Sequence, residues 1–311
     1  MSLKKFTRKK KIWLSAAFVA VLIIGSVLYK LADRYLIEHV EVQLDAPNST
    51  SATQSATAAA NAKYDDANYE SDDVSIHVDQ AIKGSGEDQI TYYVADVTLR
   101  DGATLQTALA KNAFGRNITE NTSTIATNNN AILAINGDYY GFRSDGVVIR
   151  NGTVFRDEPA RDGLALFKDG TMLSYDESQI SSSELVRQGV TNTFSFGPIL
   201  LKEGTIPSDF SHVEIDTNFG NHSIQGANPR TGIGMISPNH YVLVVVDGRS
   251  SESKGMTLAE FAQLFKDLGC TEAYNLDGGG SSTMYFMGKV VNNPQGREKE
   301  RGVSDIIYVG A

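Results

Sequence analysis

The chain has 311 residues, 41% hydrophobic and 21% charged, with 28 Gly, 7 Pro and a single cysteine, Cys270. That balance excludes collagen, a coiled coil and a wholly disordered chain, and one cysteine excludes an intrachain disulfide framework. The net charge of −9 hides an asymmetry: residues 1–30 hold seven bases and no acid, leaving 37 acids against 21 of the 28 bases beyond them. So acidic an exterior repels phosphate backbones and argues against a nucleic-acid partner, and an anionic substrate would need a local pocket of Arg or N–H groups.

In chain order, the first element is an uncharged run, IWLSAAFVAVLIIGSVLY, over 12–29. It approaches the roughly 20 residues that cross a hydrocarbon core. Six bases precede it, so the positive-inside rule puts 1–11 in the cytoplasm and everything after the span outside. A cleaved signal peptide is the competing reading, but Lys30, Leu31, Asp33 and Arg34 crowd the exit where a small-x-small cleavage site belongs. The expected organisation is a basic segment (1–11), a single-pass signal anchor in the cell membrane (12–31), a flexible extracellular linker (32–73) and a folded domain (74–311). Within the linker, 46–73 is rich in Ala, Ser, Thr, Asn and Asp without apolar periodicity, which reads as a tether.

The folded part is dominated by short strand-like runs: 74–80, 90–99, 131–137, 146–152, 163–167, 240–248 and 272–276, bounded by Gly, Asn and Asp. One helix is plain. Thr257 and Glu260 make a T-x-x-E capping box, Leu258, Phe261, Ala262, Phe265 and Leu268 form an apolar stripe, and Gly269 stands at the stop. With strands 240–247 and 272–276 it forms a βαβ-like unit. A second helix is predicted over Thr104–Lys111. No internal repeat occurs. The fold class is α+β, a mixed β-sheet core with few helices.

The segment Asn275-Leu276-Asp277-Gly278-Gly279-Gly280-Ser281-Ser282-Thr283 leaves the C-terminal end of a buried strand, a common place for ligand sites. Its glycines let the backbone approach a ligand, and the successive N–H groups of Gly278, Gly279, Gly280, Ser281 and Ser282 would form an anion nest beside the Asp277 carboxylate. The alternative is a hairpin turn, since Asp-Gly is a strong turn signal. A Walker loop and a G-x-S-x-G elbow are absent, and His240, the last of five histidines, precedes Ser281, which argues against a Ser-His-Asp hydrolase. A second cluster runs Asn136-Gly137-Asp138-Tyr139-Tyr140-Gly141, where Asp138 adds a carboxylate and Tyr139 or Tyr140 a face for a sugar ring. Arg230 is a candidate anion clamp, with Arg301 as a second, because the planar guanidinium fork suits a pair of phosphate oxygens, and Asp247-Gly248-Arg249 closes the long buried strand. Each of these motifs also has a bland reading, as polar loop, surface Arg or turn.

Together the blocks I-N-G-D-Y-Y (135–140), G-V-V-I-R-N-G (146–152), R-T-G-I-G (230–234), V-V-V-D-G-R (244–249), N-L-D-G-G-G-S-S-T-M (275–284) and R-G-V-S-D (301–305) resemble the phosphodiester glycosidase family over about 75–311. The resemblance implies an α+β domain that hydrolyses a sugar-1-phosphate diester linked to a second alcohol. It implies catalytic roles for Asp277, Asp138 and Arg230. It further implies that these three line a cleft with the Gly278–Ser282 loop and Asp247, and Asn136, Gly137, Tyr139 and Arg249 are expected to contact substrate beside them. The last block departs from the family's R-x-V-x-N-A, which bears on Arg301. Animal members carry disulfides and an anchor at the opposite end, so a bacterial surface member is the expectation, acting on phosphorylated glycan in cell-wall, capsular or teichoic-type polymers. No cofactor is assigned, a divalent cation near Asp277 and Asp138 stays open, and no protein partner is implied. A non-catalytic phosphoglycan-binding module and a phosphoglycosyl-transferring assembly factor remain alternatives.

Overall fold

A computed structural model describes residues 8–45, 61–100, 102–213, 215 and 223–310. Two antiparallel sheets face each other across the main core. In the larger sheet the order is Ile199–Leu201, Glu272–Leu276, Arg230–Ser237, His240–Val246, Ile90–Leu99, Val74–Lys83, Asn68–Glu70, Lys63–Tyr64. The smaller runs Lys289–Val290, Met284–Phe286, Ala131–Asn136, Asp305–Gly310, Gln106–Leu109. Val97, Ile233, Leu243, Val245 and Leu276 from the first sheet meet Leu133, Ile135, Met284, Ile307 and Val309 from the second. Alternation explains the geometry: in Ile90–Leu99 the deeply buried Ala95, Val97 and Leu99 recur every second residue, so one face of the strand is core.

The capped helix forms over Leu258–Asp267, with the Thr257 and Glu260 capping box in place. Its stripe of Leu258, Phe261, Ala262 and Phe265 covers the outer face of the larger sheet. Strand Arg230–Ser237 makes room for it. A Cβ at Gly232 would stand 2.8 Å from Phe261, and one at Gly234 would stand 2.7 Å from Phe265. The glycines of R-T-G-I-G therefore serve helix packing. Strands His240–Val246 and Glu272–Leu276 run in the same direction with Arg230–Ser237 inserted between them, so the βαβ-like unit crosses over one strand. A shorter helix, Thr122–Asn128, covers the outer face of the smaller sheet through Ile125 and Ala126. The α+β class expected from the sequence is thus the observed one.

Two expectations change. Residues Thr104–Lys111 are not a helix: Gln106–Leu109 is an edge strand paired with Asp305–Tyr308, followed by a single 3-10 turn. There cross-strand pairing overrides helix propensity. The folded body also starts before residue 74. Strand His39–Gln43 pairs with Ala113–Arg116, and Lys63–Tyr64 and Asn68–Glu70 extend the larger sheet. The central part of the expected tether, 46–60, lies outside the described residues. The first helix, Arg8–Tyr35, contains in Ile12–Arg34 a stretch long and apolar enough to cross a membrane, and none of it is buried against the body.

Candidate active site

Strand register gathers the predicted residues at one end of both sheets. Arg230 pairs with Val246 and Thr231 with Leu276, so Arg230, Asp247 and Asp277 emerge side by side. In the smaller sheet Asn136 pairs with Ile306, bringing Gly137 and Asp138 to the same end. Asn136 clips the sheets together. Its Nδ2 donates to the Asp277 carbonyl at 2.6 Å, and its Oδ1 accepts from Thr231 Oγ1 at 2.8 Å and Thr283 N at 3.2 Å. Asp277 N–H then donates to the Gly137 carbonyl at 3.3 Å.

Asp277 is buried, and burial raises its carboxyl above the ordinary carboxylate range against the opposing pull of Arg301. Ser281 Oγ donates to its Oδ2 at 2.6 Å, and Arg301 Nη2 donates to the same oxygen at 3.3 Å. Arg301 also donates to Ser281 Oγ, from Nε at 3.1 Å and Nη2 at 2.5 Å. Among the described residues every side-chain donor to Asp277 acts on Oδ2, which leaves Oδ1 as the oxygen without such a bond.

The glycines have a concrete purpose. A Cβ at Gly280 would press on Arg301 Cδ at 3.3 Å, and one at Gly279, where φ is +62°, would meet the Arg249 guanidinium at 3.2 Å. Two arginines therefore lie over this loop because it has no side chains there. The loop's own N–H groups are largely engaged inside the protein: Gly279 N–H donates to Pro229, Ser281 to Gly278 and Ser282 to Gly279. The expected anion nest is thereby reduced, since the loop closes into a 3-10 turn. Ser282 Oγ is buried without a partner among the described residues.

Arg249 holds a left-handed backbone, φ +60°, and its Nη2 donates to Asn228 Oδ1 at 2.8 Å. Burial and then the neighbouring Arg301 lower its pKa. Burial and Arg249 likewise push Arg230 down to about 10. Arg230 is turned into the wall, however. Its Nε donates to the Met256 carbonyl at 2.9 Å, and its Nη2 to Ile224 at 2.6 Å and Gly226 at 2.8 Å. These bonds shape the loops around the site and leave Arg249 and Arg301 as the guanidinium groups over the glycine loop.

Asp138 lies 2% exposed in a different setting. Its Oδ1 accepts from Tyr139 N–H at 2.6 Å and its Oδ2 from Ser195 N–H at 2.7 Å, with Arg150 Nη2 at 3.8 Å. Asp305 sits opposite, accepting from Arg150 Nε at 2.7 Å and from Asp138 N–H at 2.8 Å. Burial raises Asp305 to about 6, even with Arg150 beside it. Gly137 is obligatory, because a Cβ there would overlap the Asp305 carboxylate. Asp247 is also internal: it accepts from Asn292 Nδ2 at 2.8 Å and Asn293 N–H at 3.0 Å, and burial raises its pKa. Among the described residues no group of three or more His, Cys, Asp or Glu side chains could hold a metal ion.

Of the two tyrosines, Tyr140 belongs to the core, stacking on Phe114 at 5.1 Å and donating to the Ser304 carbonyl. Tyr139 is partly exposed and stacks on Phe142 at 4.8 Å. Sequence reading missed Arg143. Its guanidinium lies 5.1 Å from the centroids of both Tyr139 and Phe196, and it favours the ionised form of Asp277. The F-R dipeptide after the I-N-G-D-Y-Y block carried no signal beyond proximity to that block.

The chain is similar to several known proteins. Zebrafish N-acetylglucosamine-1-phosphodiester alpha-N-acetylglucosaminidase, solved as a catalytic domain auto-inhibited by its pro-peptide, shares 20% identity over 83% of this chain and 87% of its own, with a TM-score of 0.58. A hypothetical protein from Synechocystis shares 18% over 76% of this chain and 62% of its own, at 0.56. At these identities the likeness speaks for the fold alone. The SPbeta prophage-derived uncharacterized protein YomE of Bacillus subtilis (strain 168) is 33% identical over 189 residues, which is 58% of this chain but only 28% of that protein. The sequence profile of the phosphodiester glycosidases matches residues 129–310, more than half of the chain and every block of the site described above. The chain belongs to the phosphodiester glycosidase family.

Proposed function

We propose that this protein is an extracytoplasmic hydrolase of glycosyl phosphodiesters in surface glycans, exopolysaccharides or teichoic-type wall polymers. One observation carries the reading: Arg249 and Arg301 lie over a glycine loop beside the buried carboxylate of Asp277. Like charges held this close lower one another's proton affinity, and a bound anion relieves that repulsion. In the reaction, water adds to the anomeric carbon, the bond from that carbon to the phosphate oxygen breaks, and its electron pair goes to the phosphate. The phosphate thus passes from a singly charged diester to a doubly charged monoester. The arginines bind the second charge more strongly than the first, which is what lowers the barrier.

Asp277 acts as the carboxylate that takes the proton from the attacking water, or stabilises the developing oxocarbenium centre, with Ser281 and Arg301 fixing its Oδ2. Tyr139 and Arg143 border the sugar. Arg230, Asp138 and Asp247 hold the walls. The helix Ile12–Arg34 anchors the protein, and the bases before it keep its N-terminus in the cytoplasm.

The test is turnover of GlcNAc-1-phospho-6-mannose and glycerol-phosphate glycosides by the detergent-solubilised full chain in ¹⁸O water. Free sugar carrying the label supports the reading. Label in the phosphate means that O–P breaks and sinks the glycosidase mechanism. Binding of phosphoglycan without any product points to a binding module instead.

A further inference from the structure

The helix does not hand over to a free tether. Strand His39–Gln43 begins four residues after the helix ends at Tyr35, and it is hydrogen-bonded to Ala113–Arg116 of the body. Asn117 Nδ2 donates to two carbonyls at the helix exit, Asp33 at 3.2 Å and Ile37 at 2.8 Å. The Asp33 carbonyl is one that a helix end leaves without an intrahelical partner, and His39 Nε2 also lies 3.0 Å from it. Lys111 pairs with Glu38, and Leu44 N–H donates to the Asn112 carbonyl at 2.8 Å. Gly115 permits this contact, because a Cβ there would overlap the His39 carbonyl oxygen.

The segment between Leu44 and Lys63 therefore connects two docked strands and does not join anchor to body. Four residues reach at most about 14 Å. A flexible chain over 32–73 would span about 35 Å on average. Around this clamp the apolar side chains face outward: Leu36 is 78% exposed, Val40 54% and Ile37 41%, with Val42 and Leu44 similar. They begin at Leu36, the first residue after the helix ends at Tyr35.

We propose that this clamp is a lipid-docking surface: the apolar residues 36–44 rest on the outer boundary of the bilayer that the helix crosses. The catalytic body is thereby held flush with the membrane and acts on phosphodiesters close to it. This rests on the anchor reading above. The occupant is the lipid surface because the exposed apolar residues Leu36, Ile37, Val40, Val42 and Leu44 begin two residues past the span that ends at Arg34.

The experiment uses the full chain in liposomes, with carbonate extraction first. Trp13, the sole tryptophan, is replaced by Phe, and Val42→Trp then supplies a single indole that reports contact with lipids brominated near the headgroup. A dye on Lys168→Cys reports body height by energy transfer to a labelled lipid, compared with the same label in Gly115→Val and in the surface variant Lys111→Glu. The proposal expects at least twofold quenching of the introduced indole and at least a twofold fall in transfer when the clamp is opened by either variant. An inserted protein whose indole fluorescence is unquenched, or whose transfer is the same in all three forms, overturns the docking surface and leaves the anchor standing. Extraction by carbonate overturns both.

Discussion

Ser281→Ala removes one hydroxyl that performs two tasks at Asp277. It deletes the 2.6 Å bond to Oδ2 and the acceptor that holds Arg301 Nε and Nη2. A hydrogen bond to a charged group contributes about 1.5–3 kcal/mol, and each pKa unit corresponds to about 1.4 kcal/mol. The Asp277 carboxyl, already raised by burial, should rise by a further one to two units, roughly. If ionised Asp277 takes the proton from water, activity is present above its pKa and falls as pH drops through it. The acidic limb of kcat/KM should therefore move to higher pH by that amount in Ser281→Ala, with the alkaline limb unmoved. The pH dependence of diester hydrolysis reads this directly. An acidic limb at the same pH, in a variant with an unchanged melting curve, would refute the coupling between Ser281 and Asp277.

Asp305→Ala leaves Arg150 Nε and Asp138 N–H without their acceptor inside the protein, which should destabilise it by about 3–5 kcal/mol, as breaking one partner of a buried ion pair does. A thermal melt should show a drop of roughly 6–20 °C. Asp305 has a further signature in pH. Its folded value of about 6 lies above the ordinary carboxylate value, so between about pH 4 and 6 the folded chain keeps a proton the unfolded chain has lost. Stability should accordingly fall as pH rises through that window, and chemical denaturation of Asp305→Asn should show a smaller slope, missing the share that Asp305 contributes. Arg249→Gln should raise KM about tenfold with a smaller effect on kcat, the loss of one charge-assisted contact to the phosphate; an unchanged KM would remove Arg249 from the anion site.

Much of the frame was legible because period and capping are local. The alternation in 90–99 and the stripe behind Thr257 specify a strand and a helix without tertiary information. The error at 104–111 arose where pairing with Asp305–Tyr308, some 200 residues away, decides the conformation. Strand His39–Gln43 escaped notice for the same reason: four of its five residues are exposed, so its hydrogen-bonding partner and not its pattern makes it a strand. At the candidate site, D-G-G-G-S-S pointed to the cluster around Asp277, but which arginine lies against it depends on three dimensions. Arg230 carries the family block yet bonds to wall carbonyls, whereas Arg301, in the block that departs from the family, reaches Asp277. A glycine run announces close approach; only the fold shows that what approaches is a pair of guanidinium groups.

The most direct test compares hydrolysis of a sugar-1-phosphate diester by the full chain with that of Asp277→Asn and Arg301→Gln, each checked for folding by circular dichroism. The account predicts release of free sugar by the parent protein, a loss of about 10²–10⁴-fold in Asp277→Asn and a marked loss in Arg301→Gln. Undiminished turnover in folded Asp277→Asn would contradict it.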